Sequence, residues 1–138
     1  MIAYIDSSVL SRVVMRQTDR LVGLETCEQR FTSLLTQAEC LRAIEKARLD
    51  EGLGPDEILS RRLVLFDQLR RMSRVPVSRA VLDGAGASYP LPVKTLDAIH
   101  LATAVRLKDR GNPGLVFATH DRQQGRAALA LGFKVVGL

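Results

Sequence analysis

A chain of 138 residues is long enough for one domain with its own core, without disulfide or metal staples. Its 46% hydrophobic content suits a water-facing globule, and no apolar run approaches transmembrane length. The opening MIAYIDSSVL carries neither a basic leader nor a cleavage-type segment, so a cytoplasmic protein with no membrane partner is expected. Cys27 and Cys40 lack the spacing of a zinc site or a disulfide framework and read as small buried apolar residues.

Charge separates the two halves of the chain. Up to Leu69 nine Lys/Arg face eleven Asp/Glu, whereas from Arg70 onward eleven face four. A basic second half favours a polyanionic partner, nucleic acid above membrane.

In chain order, IAYID is a short β-rich run ending in an acid, and SSVLSRVVMR then takes helical spacing. RFTSLL reads as a second strand. TQAECLRAIEKARLDEG places Ala38, Leu41, Ile44, Ala47 and Leu49 at helical intervals and stops at Gly52. PDEILSRRLVLFDQLRRMS opens with Pro55 and two acids, and sets Leu59, Leu63, Phe66 and Leu69 on one stripe, expected to be a core face whose ends help form a partner groove or dimer seam. VPVS suggests a short strand, and RAVLDGAGASYPLPVK a weak helix running into a Gly- and Pro-marked loop. A helix from about Thr95 to Gly111, a buried strand in GLVFATHD, a helix in RQQGRAALALG and a last strand in FKVVGL complete the chain. This alternation predicts an α/β fold over residues 1–138, with a central parallel sheet covered on both faces.

Four acids then occupy equivalent places. Asp6 closes the first strand, Glu39 falls in the first turn after the second, Asp97 opens the apolar helix TLDAIHLATA, and Asp121 follows LVFATH. Each has a plain structural reading: Asp6 and Asp121 as N-caps, TQAE as a capping box in which Thr36 caps and Glu39 reaches back, Asp97 as a favourable charge on a helix dipole. Topology favours more. In a doubly wound sheet, strand carboxyl ends and the following helix starts share one edge, where ligands bind. Carboxylates gathered there repel one another unless a proton or a cation enters. Oxygen-only ligands suit Mg²⁺ or Mn²⁺, and such an ion amid basic surface suits phosphodiester hydrolysis by an activated water.

The segments YIDSSVL, TQAECLRAI, TLDAIHLATA and FATHDRQQGRAALALGFKVVG, in that order, resemble PIN-domain ribonucleases, most closely the VapC-like toxins of toxin–antitoxin pairs. The resemblance covers nearly the whole chain. It implies a Rossmann-like three-layer α/β/α sandwich forming a single PIN domain, Mg²⁺- or Mn²⁺-dependent endonuclease activity on RNA, a homodimer, and a small cognate antitoxin in the active-site groove. Asp6, Glu39, Asp97 and Asp121 match the acidic tetrad. Ser8 and Thr119 match the small polar positions that steady the carboxylates or the water. Asp6 and Asp97 are expected as principal metal ligands, with Glu39 and Asp121 binding metal through water or completing a second site. In-line attack then leaves 3′-hydroxyl and 5′-phosphate ends.

Arg12, Arg42, Lys46, Lys94 and Arg122 lie near these acids in sequence and are candidates for phosphate contacts. His100 reads as a neutral, hydrogen-bonded core histidine and His120 as an exposed loop residue. DGAGAS follows no strand-to-helix phosphate loop. A receiver-like phosphoacceptor would need paired acids after the first strand, where IDSS has one. A catalytically silent RNA- or protein-binding adaptor would lack a tetrad acid, and all four are present. A PIN-type nuclease acting on DNA uses the same chemistry, but its usual clamp segment does not fit these short connections.

Overall fold

The first strand, β1 (Ile2–Ile5), is buried on both faces, and the side chains of its alternating residues separate the molecule into two apolar layers. Ala3 and Ile5 face Val9, Leu10, Cys40, Ile44, Leu65 and Leu69. Tyr4 faces the other way, among Leu101, Ala104, Phe117 and Phe133. The computed structural model describes residues 1–138, with β2 (Gln29–Ser33), β3 (Ser73–Val75), β4 (Val116–Ala118) and β5 (Lys134–Val136) completing the sheet. Strand order is β3-β2-β1-β4-β5 and every pairing is parallel. Helices α1 (Ser7–Val14), α2 (Leu35–Glu51) and α3 (Pro55–Arg70) cover one face. Helices α5 (Thr95–Asp109) and α6 (Arg122–Ala130) cover the other, and α4 (Arg79–Ala85) packs on α5. The fold is therefore the expected three-layer α/β/α sandwich. No helix is long and apolar enough to cross a membrane.

Local chemistry explains most boundaries. α2 stops at Gly52, whose φ of 66° is the left-handed conformation that glycine adopts at a helix end without a Cβ penalty. Pro55 opens α3 where a missing N–H costs nothing. β2 does not run through Leu34 and Leu35 as RFTSLL suggests, because the Ser33 hydroxyl accepts the Leu35 N–H and turns the chain into α2. β3 ends before Pro76, earlier than VPVS implies, since proline has no N–H for the ladder.

Two expectations fail. Thr36 does not cap α2: the cap position is Leu34, with no side-chain bond, and the Thr36 hydroxyl lies 2.7 Å from that of Thr32 inside the core. Glu39 is thus the fifth residue of the helix and points elsewhere. The α3 stripe is also wrong by one face. Leu69 is buried, but Leu59, Leu63 and Phe66 are 57%, 62% and 40% exposed, while Leu65 takes the core position and Ile58 and Val64 pack beside it. Apolar residues encircle most of this helix, so periodicity alone selects two overlapping stripes.

Candidate active site

The sheet reverses its winding between β1 and β4, and the crevice beyond their carboxyl ends is where such folds bind ligands. Ile5 pairs with Ala118, and the Asp6 N–H donates to the Ala118 carbonyl at 3.0 Å, fixing Asp6 beside Thr119. Asp6 is almost fully buried. Its Oδ2 accepts the Ser8 N–H at 3.1 Å and the Ser8 hydroxyl at 2.5 Å, and lies 3.1 Å from the Thr119 hydroxyl. Its Oδ1 accepts from Gln124 Nε2 at 3.3 Å. Asp6 therefore caps α1, as its plain reading holds, while standing at the crevice floor.

Thr119 and Ser8 link this floor to the next helix. The Thr119 hydroxyl lies 2.8 Å from Gln124 Oε1 and accepts the Asp121 N–H at 3.0 Å; the Ser8 hydroxyl accepts the His120 N–H at 2.9 Å. Asp121 in turn caps α6 through the Gln124 N–H at 2.9 Å. Gly137 closes over the same loop with φ of 98°, and a Cβ there would sit 2.6 Å from the Thr119 carbonyl oxygen, which only glycine avoids.

His120 is not the exposed loop residue expected. Its Nε2 accepts the Leu21 N–H at 3.1 Å, so the proton sits on Nδ1, 2.6 Å from the Gly137 carbonyl. The ring clips the segment after α1 and the chain's end to the β4–α6 loop.

Glu39 enters the site through histidine. One carboxylate oxygen lies 2.7 Å from His100 Nε2, and the other accepts the Ser7 hydroxyl at 3.1 Å. His100 is fully buried, its Nδ1 lies 2.7 Å from the Tyr4 hydroxyl, and its Nε2 lies 3.6 Å from Asp6 Oδ1. Burial opposes the charged imidazole, but the Glu39 bond and the Asp6 and Glu39 charges outweigh it, and the pKa is raised. The hydrogen bonding matches the sequence expectation; the drift toward the charged form does not. Desolvation, with Asp6 nearby, keeps Tyr4 a neutral phenol.

Asp97 differs from the rest. It stands in the first turn of α5, half-buried, and its carboxylate accepts no hydrogen bond from any protein donor within range. Desolvation and then the charges of Asp121 and Asp6 raise its pKa, against weaker opposing effects of His100 and Lys94. The seven residues after it, Ala98 to Ala104, are all buried and pin the helix.

The four acids thus line one edge, yet they are less gathered than the sequence implies. No three Asp, Glu, His or Cys side chains are drawn together tightly enough to enclose an ion. The bonding gives the reason: Glu39 is turned to His100, and Asp6 and Asp121 each serve as caps.

The basic candidates divide. Lys94 is the residue before α5 and acts on Asp97, and Arg122 opens α6 next to Asp121. Arg12 is ion-paired to Asp19 at 2.5 Å, and Lys46 to Asp50 farther along α2. Arg42 is exposed one turn beyond Glu39.

A sequence model of the PIN domain matches residues 3–129. The chain is also 38% identical over 137 residues to ribonuclease VapC46 of Mycobacterium tuberculosis strain H37Rv, covering 96% of this chain and 95% of that one. The chain belongs to the PIN-domain family, in its VapC group. Ribonuclease VapC35 of the same species is 31% identical over 139 residues, covering 96% of this PIN domain and 94% of its own length. Among solved structures, a chain from a toxin–antitoxin complex of Klebsiella pneumoniae superposes with a TM-score of 0.67 over 97% of this chain and 95% of its own, at 20% identity, which supports the fold.

Three members of this PIN domain's site escape sequence reasoning. Gln124 is a buried glutamine in a small-residue helix, three positions after Asp121, and that spacing is its only local signal. Tyr4 and Ser7 flank Asp6 in sequence, but their partners His100 and Glu39 lie 96 and 32 residues away.

Proposed function

We propose that this chain is the toxin of a toxin–antitoxin pair: an endoribonuclease that hydrolyses RNA phosphodiester bonds with Mg²⁺ or Mn²⁺ held by Asp6, Asp97 and Asp121, and with Glu39 acting directly or through water. The observation that carries this reading is Asp97, a half-buried carboxylate without a hydrogen-bond donor, whose pKa is raised by burial and by Asp121 and Asp6. A hard divalent cation relieves that repulsion, and the donors at this edge are all carboxylate oxygens, which fit such an ion. When bound, the cation activates water and neutralises charge developing on the phosphate oxygens.

The chain's own residues supply the rest. Ser8, Thr119 and Gln124 fix the Asp6 rotamer, so this carboxylate needs little reorganisation. His100 orients Glu39 from below through Nε2. Lys94 and Arg122 flank the acidic edge and attract the polyanion, whose phosphates position the strand.

Two exposed apolar surfaces support the protein partners, a cognate antitoxin and a second copy of the chain: Leu59, Leu63 and Phe66 on α3, and Leu82, Leu91 and Leu96 beside α4 and α5. Induced expression in a bacterial host tests the toxin reading. Growth arrest is expected with the wild type, relief with Asp6→Asn at equal protein level, and relief again on co-expression of a small DNA-binding protein encoded directly upstream. Unimpaired growth with abundant folded wild type would contradict it.

A further inference from the structure

Every Lys or Arg side chain in an ion pair with a carboxylate lies at or before Arg71: Arg12, Lys46, Arg48, Arg61, Arg70 and Arg71. Two of the unpaired cations beyond that point share a cavity. Arg122 and Arg126 are one helical turn apart on α6, so they project from the same face. Both are exposed, and neither guanidinium makes a hydrogen bond or ion pair within the chain. With Gln123, Leu91 and Pro92 they line a cavity of about 410 Å³. Gln123 Nε2 donates to the Pro92 carbonyl at 3.0 Å, which ties the loop before α5 to α6 and holds the cavity's shape.

The lining determines the class of ligand. Two guanidiniums facing one space repel each other and lower that cost by sharing an anion, and their planar forks match phosphate oxygens bidentately. Leu91 is the one large aliphatic side chain in the wall, too little apolar surface for a hydrophobic ligand. Position selects among anions. Arg122, which lines the cavity, follows Asp121 directly in the chain and so sets the cavity beside the acidic edge.

We propose that the Arg122–Arg126 cavity is a subsite for a backbone phosphate of the RNA strand next to the one being cleaved. This rests on the ribonuclease reading above. Arg126, five residues from the nearest tetrad acid in sequence, holds the strand in register and takes no part in the chemical step.

Steady-state cleavage of a short single-stranded RNA by the full chain, with Mg²⁺ or Mn²⁺ and across a KCl series, tests it. Arg126→Ala is expected to raise KM about five-fold with kcat nearly unchanged, and to flatten the log–log salt dependence of kcat/KM by about 0.7. Arg126→Lys should recover part of the salt slope but not the full KM, because it keeps charge without the fork. Arg48→Ala, which removes a cation already paired on α2, should change neither. Wild-type KM and salt slope in the Arg122→Ala, Arg126→Ala double variant would overturn the subsite and leave the ribonuclease reading standing. A double variant that loses binding to an acidic peptide such as poly-glutamate while cleaving RNA normally would overturn it in favour of a protein partner. A wild type that cleaves no RNA under any divalent cation would overturn the ribonuclease reading and the subsite with it.

Discussion

On the β1–β4 side of the crevice the carboxylate of Asp6 is enclosed by the Ser8 N–H, the Ser8 and Thr119 hydroxyls and the Gln124 amide, whereas on the α5 side Asp97 faces Asp121 and Asp6 with no donor of its own. The two acids stand at one edge and belong to one proposed reaction, yet they relate to stability in opposite senses. Asp6 is part of the structure: it caps α1 and satisfies buried donors. Asp97 is held in place by seven buried neighbours despite its charge. The apolar packing of the helix offsets the repulsion that Asp97 meets at this edge.

The largest expected effect equalises the two sides. Asp6→Asn and Asp97→Asn should each lower RNA cleavage by at least about 100-fold, since each removes a carboxylate that would hold the cation opposing the developing phosphate charge. Stability then separates them. Asp6→Ala should lose about 1–3 kcal/mol in urea unfolding, through the cap and the unpaired buried donors. Asp97→Asn, measured in EDTA, should lose nothing and gain slightly by relieving repulsion, a gain that solvent screening of this half-exposed group keeps small. A destabilised Asp97→Asn would erase the contrast. Added Mn²⁺ should raise the Tm of the wild type and leave that of Asp97→Asn nearly unchanged.

How far these differences could be read in the sequence depends on range. The alternation of strand and helix, the stop at Gly52 and the carboxyl-edge placement of Asp6, Asp97 and Asp121 follow from local periodicity and turn chemistry. The state of each acid does not. Whether Asp6 is satisfied depends on Thr119 and Gln124, 113 and 118 residues away, and Glu39 is redirected by His100 at a separation of 61. The local capping box failed because α2 already begins at Leu35 and the Thr36 hydroxyl turns to Thr32 in the core. On α3 the failure has another cause: seven apolar residues in sixteen leave the buried face to be chosen by α1 and α2. Leu69→Ala should therefore cost about 2–5 kcal/mol, and Leu63→Ala about 0.5 kcal/mol or less in the monomer, which thermal unfolding distinguishes.

Cys40, next to Glu39, sharpens the contrast in a smaller way. Burial pushes its thiol up to about 12. Above the ordinary thiol range the unfolded chain releases this proton while the native state keeps it, so stability falls as pH rises, by up to about 1.4 kcal/mol per unit. Unfolding of the wild type against Cys40→Ala between pH 8 and about 10.5 should show that slope lost in the variant, and native Cys40 should resist alkylation near pH 8 while Cys27 reacts.

The decisive property of the acidic edge is whether it cleaves RNA with a divalent cation. The direct measurement is cleavage of end-labelled single-stranded RNA by purified wild type, Asp6→Asn and Asp97→Asn, each with EDTA, Mg²⁺ or Mn²⁺. Cleavage by the wild type alone, only with the cation, and yielding 3′-hydroxyl and 5′-phosphate ends is the predicted result. Cleavage that persists in EDTA, or that survives in folded Asp97→Asn, would contradict it.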